Sequence, residues 1–447
     1  MGFAKFTVQT TGVRIISVVG SIAGGVINAR WLGVDRVGVL VLLALIPNFT
    51  FHYGNLGFGS AIAYFLAKGE MTTRTAMKIG WILGGFMSVF STVILLFIWK
   101  KDFSPLNDIQ IRYILFYLPT IPLLFFINFM QRIFSGMLRI TESNLAIIIG
   151  SVSSIVCISL FVIVLDLGIE GAIFAVLISQ FMIFGFLFIR LHSGGKQIKN
   201  NSEASTAKLR PVLWECWHYG KWNYLLMFAN FFNHQLPLIL LKKIVPDNSL
   251  VGVYSKAVGL GEQSQIISDP IAKLLFPFTA ASQKDEATQR TNLLCRNSLF
   301  IMVFVVGMMV LLAVPLIRFL YGEEFIPAAP IFYLIAPSVI FWPCSDFLAI
   351  HVAASGQPKA VFFVGLMTLL MASGAGWFLI GSNDMVGAGI TMSLATISST
   401  ILRLLLYVKV TGTKISKVMV MQKEDWYYYI TKLKEMRRKY HHIFNKD

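Results

Sequence analysis

Lys256, Glu262, Asp269 and Lys273 lie within residues 250–281, LVGVYSKAVGLGEQSQIISDPIAKLLFPFTAA, a run otherwise apolar enough to cross a bilayer. An ionisable side chain near mid-membrane costs about 2.5–3.5 kcal/mol on insertion scales, so four in one span require a polar surrounding. At helical spacing Glu262, Asp269 and Lys273 fall within about 40° of one another, and Lys256 stands about 120° from Glu262. One face of this span therefore lines a polar pathway. Lysines on such a face would compensate an anion that leaves water, above all a phosphate or diphosphate. Arg14, in the first apolar run, is the matching cation, so Arg14, Lys256 and Lys273 are the candidate anion ligands. Glu262, Asp269 and Asp346 are the candidates for taking up a coupling ion. Asp346 is accompanied by Pro337, Pro343 and Ser345. The plainer reading of Asp269 is an i, i+4 ion pair with Lys273.

Asn230 and Asn233, with Trp222 upstream, could hydrogen-bond sugar hydroxyls while the indole stacks on a ring. Helix–helix hydrogen bonding, worth about 1 kcal/mol per bond, is the bland alternative. His52, His234 and His351 have no second ligand at i+3 or i+4, so no metal site is expected. Arg30, Arg132 and Arg403 sit near span ends and read as interfacial.

The elements that must position these groups follow from composition. Of 447 residues, 56% are hydrophobic and 13% charged, which excludes a soluble globular domain. The net charge of +16 marks cytoplasmic loops and contact with anionic lipid headgroups, not nucleic acid. The four cysteines are scattered in or beside apolar runs and read as small hydrophobes. Phosphate-loop, zinc-protease and nucleophile-elbow motifs do not occur, and no cofactor is expected beyond coupling to an H+ or Na+ gradient.

With about 20 apolar residues per crossing, spans fall near 9–29, 40–65, 79–99, 113–135, 145–165 and 169–190, then near 219–241, 252–280, 298–319, 328–353, 360–380 and 386–408. This is an all-α integral membrane protein of about twelve transmembrane helices. Residues 1–192 form an N-terminal six-helix lobe, 193–214 a Ser/Lys/Asn-rich cytoplasmic linker, and 215–408 a C-terminal six-helix lobe. Residues 409–447 form a basic tail in which Trp426, Ile430, Leu433, Met436 and Tyr440 recur at helical spacing among Lys and Arg. That pattern suits an amphipathic helix on anionic lipid. Lys and Arg are concentrated on the side of both termini, which places those termini in the cytoplasm.

The halves repeat. Phe116-Tyr117-Leu118 returns as Phe332-Tyr333-Leu334, Gly171-Ala172 as Gly387-Ala388, and Asp35-x-x-Gly38 loosely as Asp247-x-x-x-x-Gly252. Six spans per half is even, so the repeat is parallel, related by an axis along the membrane normal, with a central cavity between the lobes.

Asn28-Ala29-Arg30, Leu32-Gly33, Gly38, Leu56-Gly57-Phe58-Gly59-Ser60-Ala61, Gly252-x-Tyr254-Ser255-x-Ala257, Pro270 and Leu275-Phe276-Pro277 resemble the Wzx-type oligosaccharide–lipid flippases. These form the polysaccharide transporter family of the multidrug/oligosaccharidyl-lipid/polysaccharide exporter superfamily. The resemblance covers nearly the whole chain. It implies a non-enzymatic flippase of the bacterial inner membrane that moves undecaprenyl-diphosphate-linked oligosaccharide repeat units by alternating access. The product would be O antigen, capsule or exopolysaccharide, and a polysaccharide polymerase or chain-length regulator would be a partner. The competing class is a cation-coupled multidrug or small-molecule exporter of the same fold, whose cavity would favour anionic and aromatic groups. A membrane polymerase or ligase is disfavoured by the short external loops.

Overall fold

In the computed structural model, residues 3–54, 58–67, 71–99, 106, 108–137, 139–193, 209–266, 268–423 and 425–426 are described. Every regular element among them is helical. The first lobe holds α1 (Phe3–Gly54), α2 (Phe58–Ala67), α3 (Thr73–Trp99), α4 (Ile111–Tyr117), α5 (Thr120–Gly136), α6 (Ile140–Ile158, continued by a π-turn to Val164) and α7 (Gly168–Ser193). The second holds α8 (Leu209–Ile244), α9 (Asn248–Gln263), α10 (Asp269–Ala281), α11 (Lys284–Leu311), α12 (Ala313–Tyr321), α13 (Ala328–Ala354), α14 (Pro358–Thr411) and the short α15 (Ile415–Met419).

Among the described residues, nine helices are long and apolar enough to cross a membrane. Two helices exceed one crossing. At 1.5 Å per residue, the 54 residues of α14 would extend about 80 Å, against a hydrocarbon core of about 30 Å. The helix breaks instead at Asn383 and Asp384 and folds back on itself. A Cβ on Gly387 would strike the carbonyl of Leu379, and one on Gly376 would stand 3.0 Å from Thr391. The 52-residue α1 breaks likewise at Gly33, whose φ of 76° suits glycine. With α2 continuing the second part of α1, α4 pairing with α5, and α9 with α10, the expected twelve crossings result.

Some limits differ from the sequence reading. The ninth span ends at Leu311, where Leu312 leaves helical geometry and α12 begins as a separate element. Helix α8 already starts at Leu209, inside the stretch read as linker. The eighth span, read as bent by its glycines and prolines, is divided by a 3-10 turn at Ser264–Ile266. The amphipathic tail lies outside the described residues beyond Trp426.

The outer faces are apolar, as lipid requires. On α3, Ile82, Phe86, Val89, Val93 and Phe97 recur at three- to four-residue spacing and are all exposed. The repeat is visible in the backbone. Asp166 and Asp384, each at the reversal into the last span of its lobe, share a positive φ (47° and 48°). The glycines that follow, Gly171 and Gly387, both press against a carbonyl of the preceding helix.

The bundle has two ends, one carrying Gly33 and the other the start of α1 and the end of α14. At the Gly33 end one apolar core runs through both lobes, including Leu42 and Leu43 of the first and Val251, Tyr254 and Ile331 of the second. The opposite half of the second lobe has a core of its own around Phe347, Leu348, Cys295 and Tyr407. Three polar ties reinforce the shared end. Arg30 donates to the carbonyls of Phe319 and Leu320, where the last turn of α12 leaves acceptors free. Buried Lys242 pairs with Asp108 at 2.8 Å and donates to Asn248 Oδ1 at 2.9 Å. Lys256 forms the third.

Candidate functional site

Among the described residues, three gatherings of polar groups inside the spans stand out. The first is in the second lobe, where the returning half of α14 passes α13 and α8. Arg403, only 5% exposed, needs partners, because a buried charge left alone is strongly destabilising. Its Nη1 lies 3.3 Å from Asp346 Oδ1 and donates to Ser345 Oγ at 3.2 Å, while Nη2 donates to Asn230 Oδ1 at 2.8 Å. These groups line a cavity of about 170 Å³ with His234, Trp342 and Thr396. Glu262 Oε1 stands 3.3 Å from His234 Nε2, and the imidazole packs on Trp342 with ring centres 4.9 Å apart. Asp269 heads α10, close enough for its carboxylate to repel that of Asp346. Asp346 thus pairs with the guanidinium and Glu262 with the imidazole, with Asp269 near Asp346. The charges of Asp346 and Arg403 offset each other across 3.3 Å.

The second place is the seam between lobes. Lys256 on α9 reaches the first helix of the other lobe, donating from Nζ to the Gly25 carbonyl at 3.0 Å, with Nζ 5.0 Å from the centre of the Tyr321 ring. A carbonyl and a ring face stabilise an ammonium without neutralising it.

The third place is a cavity of about 560 Å³ within the first lobe, lined by α1, α5, α6 and α7. Among the described residues its polar lining is uncharged: Ser17, Ser21, Ser151, Ser154 and Ser179 with Asn28, Gln131 and Gln180.

The residues singled out from sequence are thus distributed unequally. Glu262, Asp269 and Asp346 converge on the second-lobe cluster, and Lys256 is at the seam. The side chains of Arg14 and Lys273 lie outside the described residues, as does that of His52. Asn230 is held by Arg403. Asn233 donates to the carbonyls of Ala229 and Gly365 at 3.0 and 2.9 Å, a helix–helix bond of the bland kind. Trp222 lies two helical turns from Asn230, against Phe362 at 6.1 Å and under Lys359 at 5.4 Å, outside the cavity that the two asparagines line. His351 hydrogen-bonds Thr291 at 2.8 Å. Arg403, read as interfacial, is the organising cation of the second lobe. Its position on a polar run, Thr396, Ser398, Ser399 and Thr400, was the signal available for it. The first-lobe cavity had only the pattern of serines and glycines on the first span.

Residues 27–330 match a family described as polysaccharide biosynthesis protein. No curated protein matches the chain. Among solved structures, the inward-facing conformation of a multidrug resistance MATE family transporter of the MOP superfamily aligns with a TM-score of 0.73 at 15% identity, covering 91% of this chain and 98% of that one. The outward-facing conformation of such a transporter aligns with a TM-score of 0.68 at 16% identity, covering 91% and 96%. A MATE transporter of Vibrio cholerae aligns with a TM-score of 0.61 at 14% identity, covering 92% and 97%. At these identities the likeness is one of fold.

Proposed function

Because the chain belongs to the family of polysaccharide biosynthesis proteins, we propose that it is a flippase for lipid-linked oligosaccharides of a cell-surface polysaccharide. The observation that carries this reading is the family match over 27–330 on a bundle with a cation, Lys256, between its lobes. In this reading the chain makes and breaks no covalent bond. A polyprenyl diphosphate enters between the lobes at the bacterial inner membrane, with both termini of the protein in the cytoplasm. Lys256, with Arg14 and Lys273, offsets the cost of taking the diphosphate from water. The acceptor tail remains in lipid while the sugars cross inside the bundle. The second-lobe cluster supplies the coupling step: H+ or Na+ at Asp346, Glu262 or Asp269 would change the net charge around Arg403 and thereby bias the two arrangements of the lobes. The basic tail holds to anionic headgroups, and a polymerase or chain-length regulator would receive the product.

A cation-coupled small-molecule exporter is the second reading, favoured by Asp346 and Trp342 on one cavity in the second lobe, with Glu262 against its His234. The two are separated by replacing Arg14, Lys256 and Lys273 singly with Ala and measuring surface polysaccharide at equal protein level. A flippase of this kind loses export in at least one of the three. Normal export in all of them removes the cationic route for a diphosphate.

A further inference from the structure

We propose that the first-lobe cavity is a binding site for neutral sugar, taking the hydroxyl groups of the oligosaccharide while the diphosphate stays outside it at Lys256. This rests on the flippase reading and assigns a part of the substrate to a part of the protein.

Size is the first ground. At about 560 Å³ the cavity falls within the range of ligand pockets, roughly 300–1,000 Å³. The second-lobe cavity, about 170 Å³, does not.

The chemistry of the wall is the second. Among the described residues, no ionisable or aromatic side chain lines it. Ser151 and Ser179 already donate their hydroxyl protons to the carbonyls of Ile147 and Val176, at 3.0 and 2.8 Å. What those hydroxyls still offer is lone pairs. Asn28 Oδ1 and Gln180 Oε1 are buried and have no donor at all. A buried acceptor without a partner is costly, so rotation of either amide toward the cavity would gain a donor from a ligand there. The amide N–H groups and remaining hydroxyls of the wall are neutral donors, and among the described residues no cation lines the cavity to offset the charge of an anion. A neutral polyol brings O–H donors to these acceptors, and its C–H faces can lie on Ile147, Val176 and Ile183.

Position is the third ground. Gly25 lines this cavity, and its carbonyl is the group that Lys256 holds. The cation is therefore at the rim, one residue from Gly24, where a diphosphate would sit with its sugars directed inward. Gly24 itself opens onto empty space, since a Cβ there would meet nothing within 4 Å.

The test uses the full-length chain in cells deleted for it. Gly24→Phe fills the cavity without a local clash, and Gln180→Met removes an acceptor at nearly constant size. Gly185→Phe is the control: it adds the same bulk at an open position that does not line the cavity. Export of surface polysaccharide is compared with binding of sugar-free polyprenyl diphosphate to each purified variant in nanodiscs. The expected result is at least a tenfold loss of export for Gly24→Phe and a loss of about tenfold for Gln180→Met, the scale of a lost hydrogen bond to a substrate hydroxyl. The control exports normally, and all three bind the sugar-free lipid within about twofold of the parent. Full export by Gly24→Phe and Gln180→Met overturns the inference while leaving the flippase reading intact. Loss of sugar-free lipid binding together with export overturns it too, because the cavity would then not be reserved for sugar. A deletion strain with normal surface polysaccharide instead removes the flippase reading, and this inference with it.

Discussion

Gly38 and Gly252 cross at backbone contact distance, one from each lobe. A Cβ built on Gly252 stands 3.1 Å from the Gly38 nitrogen and strikes the Val34 carbonyl, and a Cβ on Gly38 strikes the carbonyl of Asn248. The contact is reciprocal: each glycine accepts the start of the other lobe's second span. Nothing larger fits while the lobes share their core at this end. The crossing therefore belongs to the arrangement in which the Gly33 end is shut.

Gly38→Ala and Gly252→Ala should each disfavour that arrangement. Overpacking a tight contact costs about 1–3 kcal/mol, enough to shift the balance of two arrangements by about five- to 150-fold. Spin labels at Leu167 and Val386, exposed residues beside the Gly33-end reversal of each lobe, would report it as longer or broader distances. An unchanged distance distribution in both variants would show that the crossing does not hold the lobes.

The crossing illustrates what the sequence carries and what it withholds. Gly171-Ala172 and Gly387-Ala388 are legible as a repeat because each reversal needs a residue without a side chain at the same place, and close approach leaves that mark in sequence. The order of twelve apolar runs is legible for a similar reason, since crossing length is set by the bilayer. The partners of Lys256 and Arg403 are not. Lys256 is met by a backbone carbonyl, which has no residue identity to read. Arg403 is met by Asn230, 173 positions away, through the passage of α14 beside α8. The neutral cavity was hidden because Ser and Gly on membrane helices also serve ordinary close packing. Only the buried, unpaired oxygens of Asn28 and Gln180 distinguish it.

Arg403→Met should destabilise the protein by about 1–3 kcal/mol, because it leaves Asn230 and the half-exposed Asp346 without their guanidinium. Asp346→Asn should cost a comparable amount, since it leaves the buried Arg403 charge with neutral acceptors only. The double variant should recover part of the loss of Arg403→Met. Thermal unfolding in detergent measures all three. If Asp346 carries the coupling ion, Asp346→Asn also removes the dependence of export on an imposed Na+ or pH gradient. Export by this variant that still follows the gradient would reassign coupling to Glu262 or Asp269.

The two reversals predict a matched pair of effects. Gly387→Ala would press a methyl into the Leu379 carbonyl, and Gly171→Ala would bring one to 2.8 Å from the Phe161 carbonyl. Each should lower stability by about 1–3 kcal/mol. Gly374→Ala, on the same helix as Gly387 but facing open space, should be neutral or stabilising by up to about 1 kcal/mol through helix propensity. Equal melting temperatures for Gly387→Ala and Gly374→Ala would contradict the close turn.

The start of the tail should come loose in acid. Asp425 is 4% exposed and pairs with Arg296 of α11, with Nη2–Oδ1 at 2.8 Å and Nε–Oδ2 at 2.5 Å, and it accepts from the Gln422 backbone N–H at 2.9 Å. Arg296 also donates to the Lys417 carbonyl, and Trp426 packs edge-on against Phe300 at 5.1 Å. Burial alone would raise the pKa of this carboxyl. The donations from Arg296 and Gln422 outweigh burial and hold it below the usual carboxylate range. A carboxyl whose pKa is depressed on docking favours the docked tail fully above its undocked value, about 3.9. That contribution is lost as pH falls through the lower, docked value. Amide exchange over residues 415–423, corrected for its intrinsic pH dependence, should therefore be steady from neutral pH down to about 4 and rise below it. Asp425→Asn should show the faster exchange already at neutral pH, and the acid step should vanish. An acid step that persists in Asp425→Asn would assign the loosening to a different carboxylate.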